Sequence, residues 1–159
     1  MAPERGDPDE GEDPYERKDP YLDYRFTVEV DSLVFAGFTE VTGIEREVET
    51  EEVEEGGVNG FTHHLPTGYT NSNLTLSRGL TDATELWDWL QLSGDEPVDR
   101  RNCRILLQDT MGAETWGWEV HDAYPVRWEG PDLEADGGAV AMETLELNHR
   151  GITRIDGRP

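Results

Sequence analysis

Hydrophobic positions recur along this chain at two periods. In most segments they fall at every second residue, the spacing of a strand with one buried face. Residues 24–30 alternate cleanly, with Tyr24, Phe26, Val28 and Val30 on one side and Arg25, Thr27 and Glu29 on the other. Asp31-Ser32 turns the chain, and residues 35–41 return as a second strand in which Gly37 marks a bulge. Leu74 and Leu76 mark a further strand. Cys103, Ile105 and Leu107 alternate, Asp109-Thr110-Met111-Gly112 reads as a hairpin turn, and Trp116, Trp118 and Val120 make the return. Residues 124–128 follow, with Pro125 pointing to an edge or a bulge. Two glycine-bearing groups, Gly130-Pro131-Asp132 and Asp136-Gly137-Gly138, punctuate a long loop, and residues 140–149 read as the last strand.

One stretch departs from period two. Ala83, Leu86, Trp87 and Leu90 recur at three- and four-residue intervals and share a helical stripe, while Asp82, Glu85 and Asp88 fall largely on the other side. Gly79 breaks the preceding strand. Thr81 or Asp82 is placed to cap the helix, and Asp82 with Glu85 has the spacing of a capping box. Ser93-Gly94-Asp95-Glu96-Pro97 stops it. The pattern predicts a mainly β fold: a small β-barrel or sandwich of about eight strands with one flanking α-helix.

A second stretch alternates without offering a core. From Ile44 to Glu51 every second residue is Glu, and Glu54-Glu55-Gly56-Gly57-Val58-Asn59-Gly60 is a glycine-rich loop that leads into Phe61-Thr62-His63-His64-Leu65. The result is a long hairpin over residues 45–65 with an acidic face and few large apolar side chains. A two-stranded hairpin with so little to bury is poorly stable alone. It reads as an extended arm that pairs with a neighbouring subunit, with Glu47, Val48, Glu49, Val53, Gly56, Gly57, Val58, Phe61 and His63 as its contact residues.

Composition sharpens this picture. Thirty-six acidic residues against 13 basic ones give a formal charge of −23 over 159 residues, a length that suits one domain. Lys18 is the sole lysine; every other base is Arg. A GC-rich genome explains Arg in place of Lys but not the carboxylate excess, which is the surface expected of a protein living in very high salt, where screening relieves self-repulsion. So negative a chain is a poor match for nucleic acid or for anionic membranes. A single cysteine, Cys103, excludes an intrachain disulfide. Residues 1–18, rich in Pro, Gly and acids, read as a disordered tail without the features of a signal peptide, so assembly in the cytoplasm is expected. No apolar run approaches transmembrane length.

Catalytic and metal chemistry find no footing in the sequence. His63 and His64 are adjacent on a strand and point to opposite faces, and His121 and His149 are isolated. Carboxylate pairs are everywhere in so acidic a chain, so none stands out as a glycosidase-like pair. No nucleophile elbow, phosphate loop or dinucleotide fingerprint is present. Cys103 lies on an apolar alternation, as a small core residue does. Trp116 and Trp118 share a strand face and suit packing better than ligand stacking. No enzyme activity, cofactor or metal is expected.

Four blocks in order along the chain resemble the tail-tube protein family of contractile injection machines and contractile phage tails. They are Asp19-Pro20-Tyr21 with Ala36-Gly37-Phe38-Thr39-Glu40-Val41-Thr42-Gly43; Arg78-Gly79-Leu80-Thr81-Asp82 running into Glu85-Leu86-Trp87-Asp88-Trp89-Leu90; Ala123-Tyr124-Pro125-Val126-Arg127-Trp128-Glu129-Gly130-Pro131-Asp132-Leu133; and Glu143-Thr144-Leu145-Glu146-Leu147-Asn148-His149-Arg150-Gly151-Ile152. The resemblance implies a tail-tube domain over residues 19–159. It implies β-barrel-like subunits in hexameric rings, stacked into a hollow tube that a contracting sheath drives into a target. It also implies partners: copies of the same chain, the sheath protein, and baseplate, spike and tube-terminating proteins, with no direct nucleic-acid contact and no membrane contact in the resting state. By the same resemblance residues 45–65 are the inter-subunit or inter-ring arm, and Asp82, Glu85 and Asp88 face the sheath.

Two machines fit this family. The closing block over residues 143–152 resembles that of capsid-less extracellular injection particles, and the tail of a contractile archaeal virus is the alternative. A minor tube-initiator or baseplate paralogue would differ in copy number. From another class, a monomeric ligand-binding β-barrel would stay monomeric on size exclusion in high salt.

Overall fold

The computed structural model describes residues 22–156, apart from 24, 32, 36, 55 and 58–61. The tail expected over residues 1–18, and Tyr24, Val58 and Phe61, lie outside the described residues.

In chain order the elements are β1 (Phe26–Val30), β2 (Leu33–Phe35), β3 (Phe38–Thr42), β4 (Glu47–Glu54), β5 (Thr62–Thr70), β6 (Leu74–Gly79), α1 (Glu85–Ser93), β7 (Arg101–Gln108), β8 (Glu114–Glu129), β9 (Met142–Asn148) and β10 (Gly151–Asp156). All strand pairs are antiparallel. Strands β2-β1-β7-β8-β9-β6-β3 are hydrogen-bonded in that order, with β10 beside β8, and β4-β5 form a separate pair. The architecture is a sandwich-like fold with one flanking helix and a projecting hairpin, not a closed barrel.

The 16-residue β8 belongs to both layers. Its first part pairs with β7 on one side and β10 on the other, and its last part pairs with β9. The crossover is made by irregular residues. Between Val120 and Ala123 the register against β7 slips, and Asp122 there adopts φ 50°. Its N–H is held by the Asn102 side-chain oxygen at 3.0 Å. A second slip follows between Pro125 and Arg127, the bulge that Pro125 predicts.

The segment expected as one strand over residues 35–41 is two. Gly37, at φ 88°, breaks it, so β2 pairs with β1 in one layer and β3 with β6 in the other. Only glycine takes such a conformation without strain. The last strand was likewise expected to end the fold at residue 149; the chain turns at Arg150 and adds β10 along β8.

Alternation explains the core. Val28, Val30, Cys103, Ile105, Val120 and Ile152 from one layer meet Leu74, Leu76, Leu145 and Leu147 from the other, with Leu86 and Trp89 of α1 closing the end. Helix α1 leans chiefly on β8. It begins at Glu85, later than expected, and the capping box does not form: Ala83 N–H donates to Thr81 Oγ1 (3.2 Å), and Thr84 precedes the helix without a side-chain cap. The stripe is shifted accordingly. Trp89, not Trp87, is the buried tryptophan, and its indole N–H is satisfied by the Asp99 carbonyl at 2.9 Å.

Candidate functional site

Strands β4 and β5 pair over their whole length, from Glu47 opposite Thr70 to Glu54 opposite Thr62, with one slip between Glu49 and Thr50. Every residue of β4 is exposed, and so is every residue of β5 except Gly68. The hairpin is longer than the sequence pattern suggests, ending at Thr70 rather than Leu65. Directly opposed residues share a face. One face therefore carries Glu47, Glu49, Glu51 and Val53 with Leu65 and His63; the other carries Val48, Glu52 and Glu54 with Tyr69 and His64. Gly57 takes φ 123° at the tip, a turn that needs glycine. At the root, the Arg46 guanidinium lies 3.7 Å over the Tyr69 ring. Val48, Val53, Leu65 and Tyr69 are all exposed apolar groups on an element with no core of its own.

The slot where the sandwich fails to close lies beside the free edge of β3. An open groove of about 490 Å³ lies there, lined in part by Leu22, Phe26, Val41, Ile44, Ile105 and Trp118.

The helix face resolves into unequal parts. Asp82 and Asp88 are exposed, with Asp88 accepting from the Thr84 hydroxyl at 2.9 Å. Glu85 is exposed as well, its side chain 51% accessible, and one of its oxygens pairs with Arg78 at 3.3 Å. Arg78 itself was hidden from sequence reasoning: only 5% of it is exposed. Its Nε–H donates to Glu143 Oε1 at 2.5 Å and its Nη2 to the Ala83 carbonyl at 3.4 Å. The second carboxylate oxygen of Glu143 accepts the Trp128 indole N–H at 3.0 Å, and Trp128 meets Trp87 edge-on with ring centroids 4.8 Å apart. One buried cation thus pins the start of α1 to β6, β8 and β9. The only sequence signal was two charges at opposed positions on strands 65 residues apart, and pairing had to be known to see it.

Cys103 is fully buried, and desolvation, reinforced by Asp31 and opposed by Arg101, pushes its thiol up to about 12. It is a core residue without a reactive thiolate. Among the described residues no group of three His, Cys, Asp or Glu side chains suits a metal ion, and no helix is long and apolar enough to cross a membrane.

The family described as T4-like virus tail tube protein gp19 matches residues 22–153. The chain belongs to the tail-tube family. It is therefore a structural protein and not an enzyme. Among solved structures, a chain of the anti-feeding prophage baseplate, determined by cryo-EM with six-fold symmetrisation, shares 26% identity over 87% of this chain and 97% of its own, at TM-score 0.77. The sheath-tube complex of the extracellular contractile injection system PVC, in its extended state, contains a chain with 26% identity over 86% of this chain and 92% of its own, also at 0.77. Hcp1 from Flavobacterium johnsoniae, at 15% identity, 82% of this chain, 94% of its own and TM-score 0.58, shares the fold. No curated protein sequence matches the chain.

Proposed function

We propose that this chain is the main subunit of the inner tube of an extracellular contractile injection particle, forming hexameric rings that stack into a hollow rod driven outward by sheath contraction. One observation carries the reading: a tail-tube sandwich holds out a 17-residue pair of strands, β4 and β5, with nothing of its own to bury. Such an element becomes stable by pairing with another copy. Glu47, Val48, Glu49, Val53, Gly56, Gly57 and His63, with Val58 and Phe61, are the arm residues assigned to that contact. Asp82, Glu85 and Asp88 form the acidic surface assigned to the sheath. Baseplate and terminator proteins meet the two tube ends, the subunit is made in the cytoplasm, and the excess of carboxylates adapts the assembly to concentrated salt.

The relatives at TM-score 0.77 come from injection particles, which favours that machine. The family's own description names a virus tail and supports the second reading; capsid and terminase genes beside this one would establish it. The decisive experiment is electron microscopy of the purified protein in multimolar salt. Six-fold rings and stacked tubes are expected. Single particles of monomer size, with a monomeric elution volume, would overturn the proposal.

A further inference from the structure

The second layer of the sandwich is short of a strand. It ends at β3, which has a neighbour, β6, on one side only among the described residues. Beyond that edge the first layer is left uncovered. Phe26 opposite Leu107, and Ile105 opposite Trp118, share its inner face and line the open groove of about 490 Å³. Four consecutive residues of β3, 39–42, line it too. Successive side chains of a strand point to opposite faces, so β3 borders the groove with its backbone edge. An unpaired edge beside an apolar floor is the geometry that takes up an extended strand: the backbone gives hydrogen bonds, and alternate side chains fill the pocket. The chain's own hairpin starts there and does not enter. Ile44, just before β4, lines the groove, whereas every residue of β4 is exposed. Gly43 fixes the direction of departure, with φ 87° and the Asn73 carbonyl standing where a Cβ would be. The eight residues of β4 then carry the tip roughly 25 Å away. Towards that tip Val53 and Leu65, diagonal neighbours on one face, are both exposed.

We infer that the groove beside β3 is the receptor for the hairpin of a second copy, which pairs edge to edge with β3 and lays Val53 and Leu65 on Phe26, Leu107 and Trp118. The inference rests on the tube reading above and says where its arm lands. Two shortages in one chain answer each other: a layer lacking a strand, and a pair of strands lacking a layer to cover. Donor and receptor stand an arm's length apart, so the contact can pass from copy to copy, as a ring or a stack requires. Charge opposes it. Glu51, Glu52 and Glu54 of the hairpin come to a rim that bears Asp23 and Glu40. Concentrated salt screens that repulsion, and salting-out ions strengthen the apolar burial, so the contact forms in the medium that the composition suits.

The test is cross-linking with a flexible bis-maleimide, in multimolar salt, of tubes that carry Glu54→Cys at the hairpin tip and Thr39→Cys on β3. Cys103 is buried and takes no part. A ladder of covalent oligomers running beyond the dimer is expected. Tubes carrying Glu54→Cys with Asp88→Cys on α1 should give none. In wild-type tubes the backbone amides of residues 38–42 should exchange hydrogen about tenfold more slowly, or more, than in the unassembled subunit, which decides the matter should the double variant fail to fold. Tubes without the ladder, a ladder equal to that of the α1 control, products that stop at the dimer, or a cross-link within one chain overturn the inference. Unchanged exchange over β3 overturns it too. So does slow exchange in the unassembled subunit that removal of residues 1–21 speeds up, which would make the chain's own N-terminal segment the occupant. A wild-type chain that forms no tubes sinks the tube reading itself and the inference with it.

Discussion

Arg78 shows how one residue can define a motif. Its guanidinium is buried with Glu143, and the pair's side chains are 6% and 3% exposed. Taking a charge out of water is costly unless its partner is present, so removing one member should cost about 3–5 kcal/mol while removing both costs less. Arg78→Met should therefore lower the thermal midpoint more than Arg78→Met/Glu143→Leu does. A double variant no better than the single one would show that the pair does not act as a unit. Arg78 was illegible in sequence because a lone Arg after a strand reads as solvent-facing. Cys103 was legible: it lies on an apolar alternation and is buried there. Its thiol stands at about 12 in the folded protein against 9.0 for an ordinary cysteine. The folded state thus favours the protonated thiol, and this contribution to stability is whole below pH 9.0 and lost as pH rises toward 12. Thiol reagents should label Cys103 only after denaturation at neutral pH, and Cys103→Val should flatten the alkaline fall in thermal midpoint. Rapid labelling of the native protein would contradict this.

Among the elements, the sequence made visible those set by local periodicity and hid those set by partners. The alternation of Val28 with Val30, and of Leu74 with Leu76, located buried strand faces because each strand has one wet side. The helix was visible for the same reason, yet its inward stripe was assigned to Trp87 instead of Trp89. Spacing alone admits both, and the buried one is that whose indole N–H finds the Asp99 carbonyl beyond the helix. The break at Gly37, and β10 after the turn at Arg150, depend on which layer each segment joins, which no local pattern records. The hairpin stood out for lacking what the others had. Its role in assembly can be tested by replacing residues 54–60 with a two-residue turn. The exposed strands contribute nothing to the core, so the subunit should keep its thermal midpoint within a few degrees while long tubes disappear. Normal filaments from the shortened protein would refute the arm assignment.

At the scale of the whole molecule, charge governs. Arg101, Arg104, Arg127, Arg150 and Arg154 each sit beside a carboxylate, yet a formal −23 remains. In the proposed tube, a ring of six such subunits would face another equally charged ring. Screening acts over roughly 3 Å at 1 M salt and about 10 Å at 0.1 M, so in dilute buffer each carboxylate feels many more of its neighbours. Apolar contacts weaken at the same time as salting-out ions are removed. Tubes stable in multimolar salt should dissociate as monovalent salt falls toward 0.1 M, and divalent cations should delay this. Negative-stain microscopy with circular dichroism across a dialysis series measures it; intact tubes and unchanged spectra at the dilute end would show that the acidic surface is not an adaptation of the assembly to salt.

Strand β8 has a consequence for how heat takes the molecule apart. Because its sixteen residues run through both layers, neither layer can melt and leave the other its full complement of partners. The sandwich is bound to be a single cooperative unit, and calorimetry of the subunit in concentrated salt should give one heat-absorption peak whose calorimetric and van't Hoff enthalpies agree. The β4–β5 hairpin shares no strand with either layer. In the lone subunit it is free to fray far below that peak, so the part that reaches outward can rearrange without unfolding the sandwich behind it.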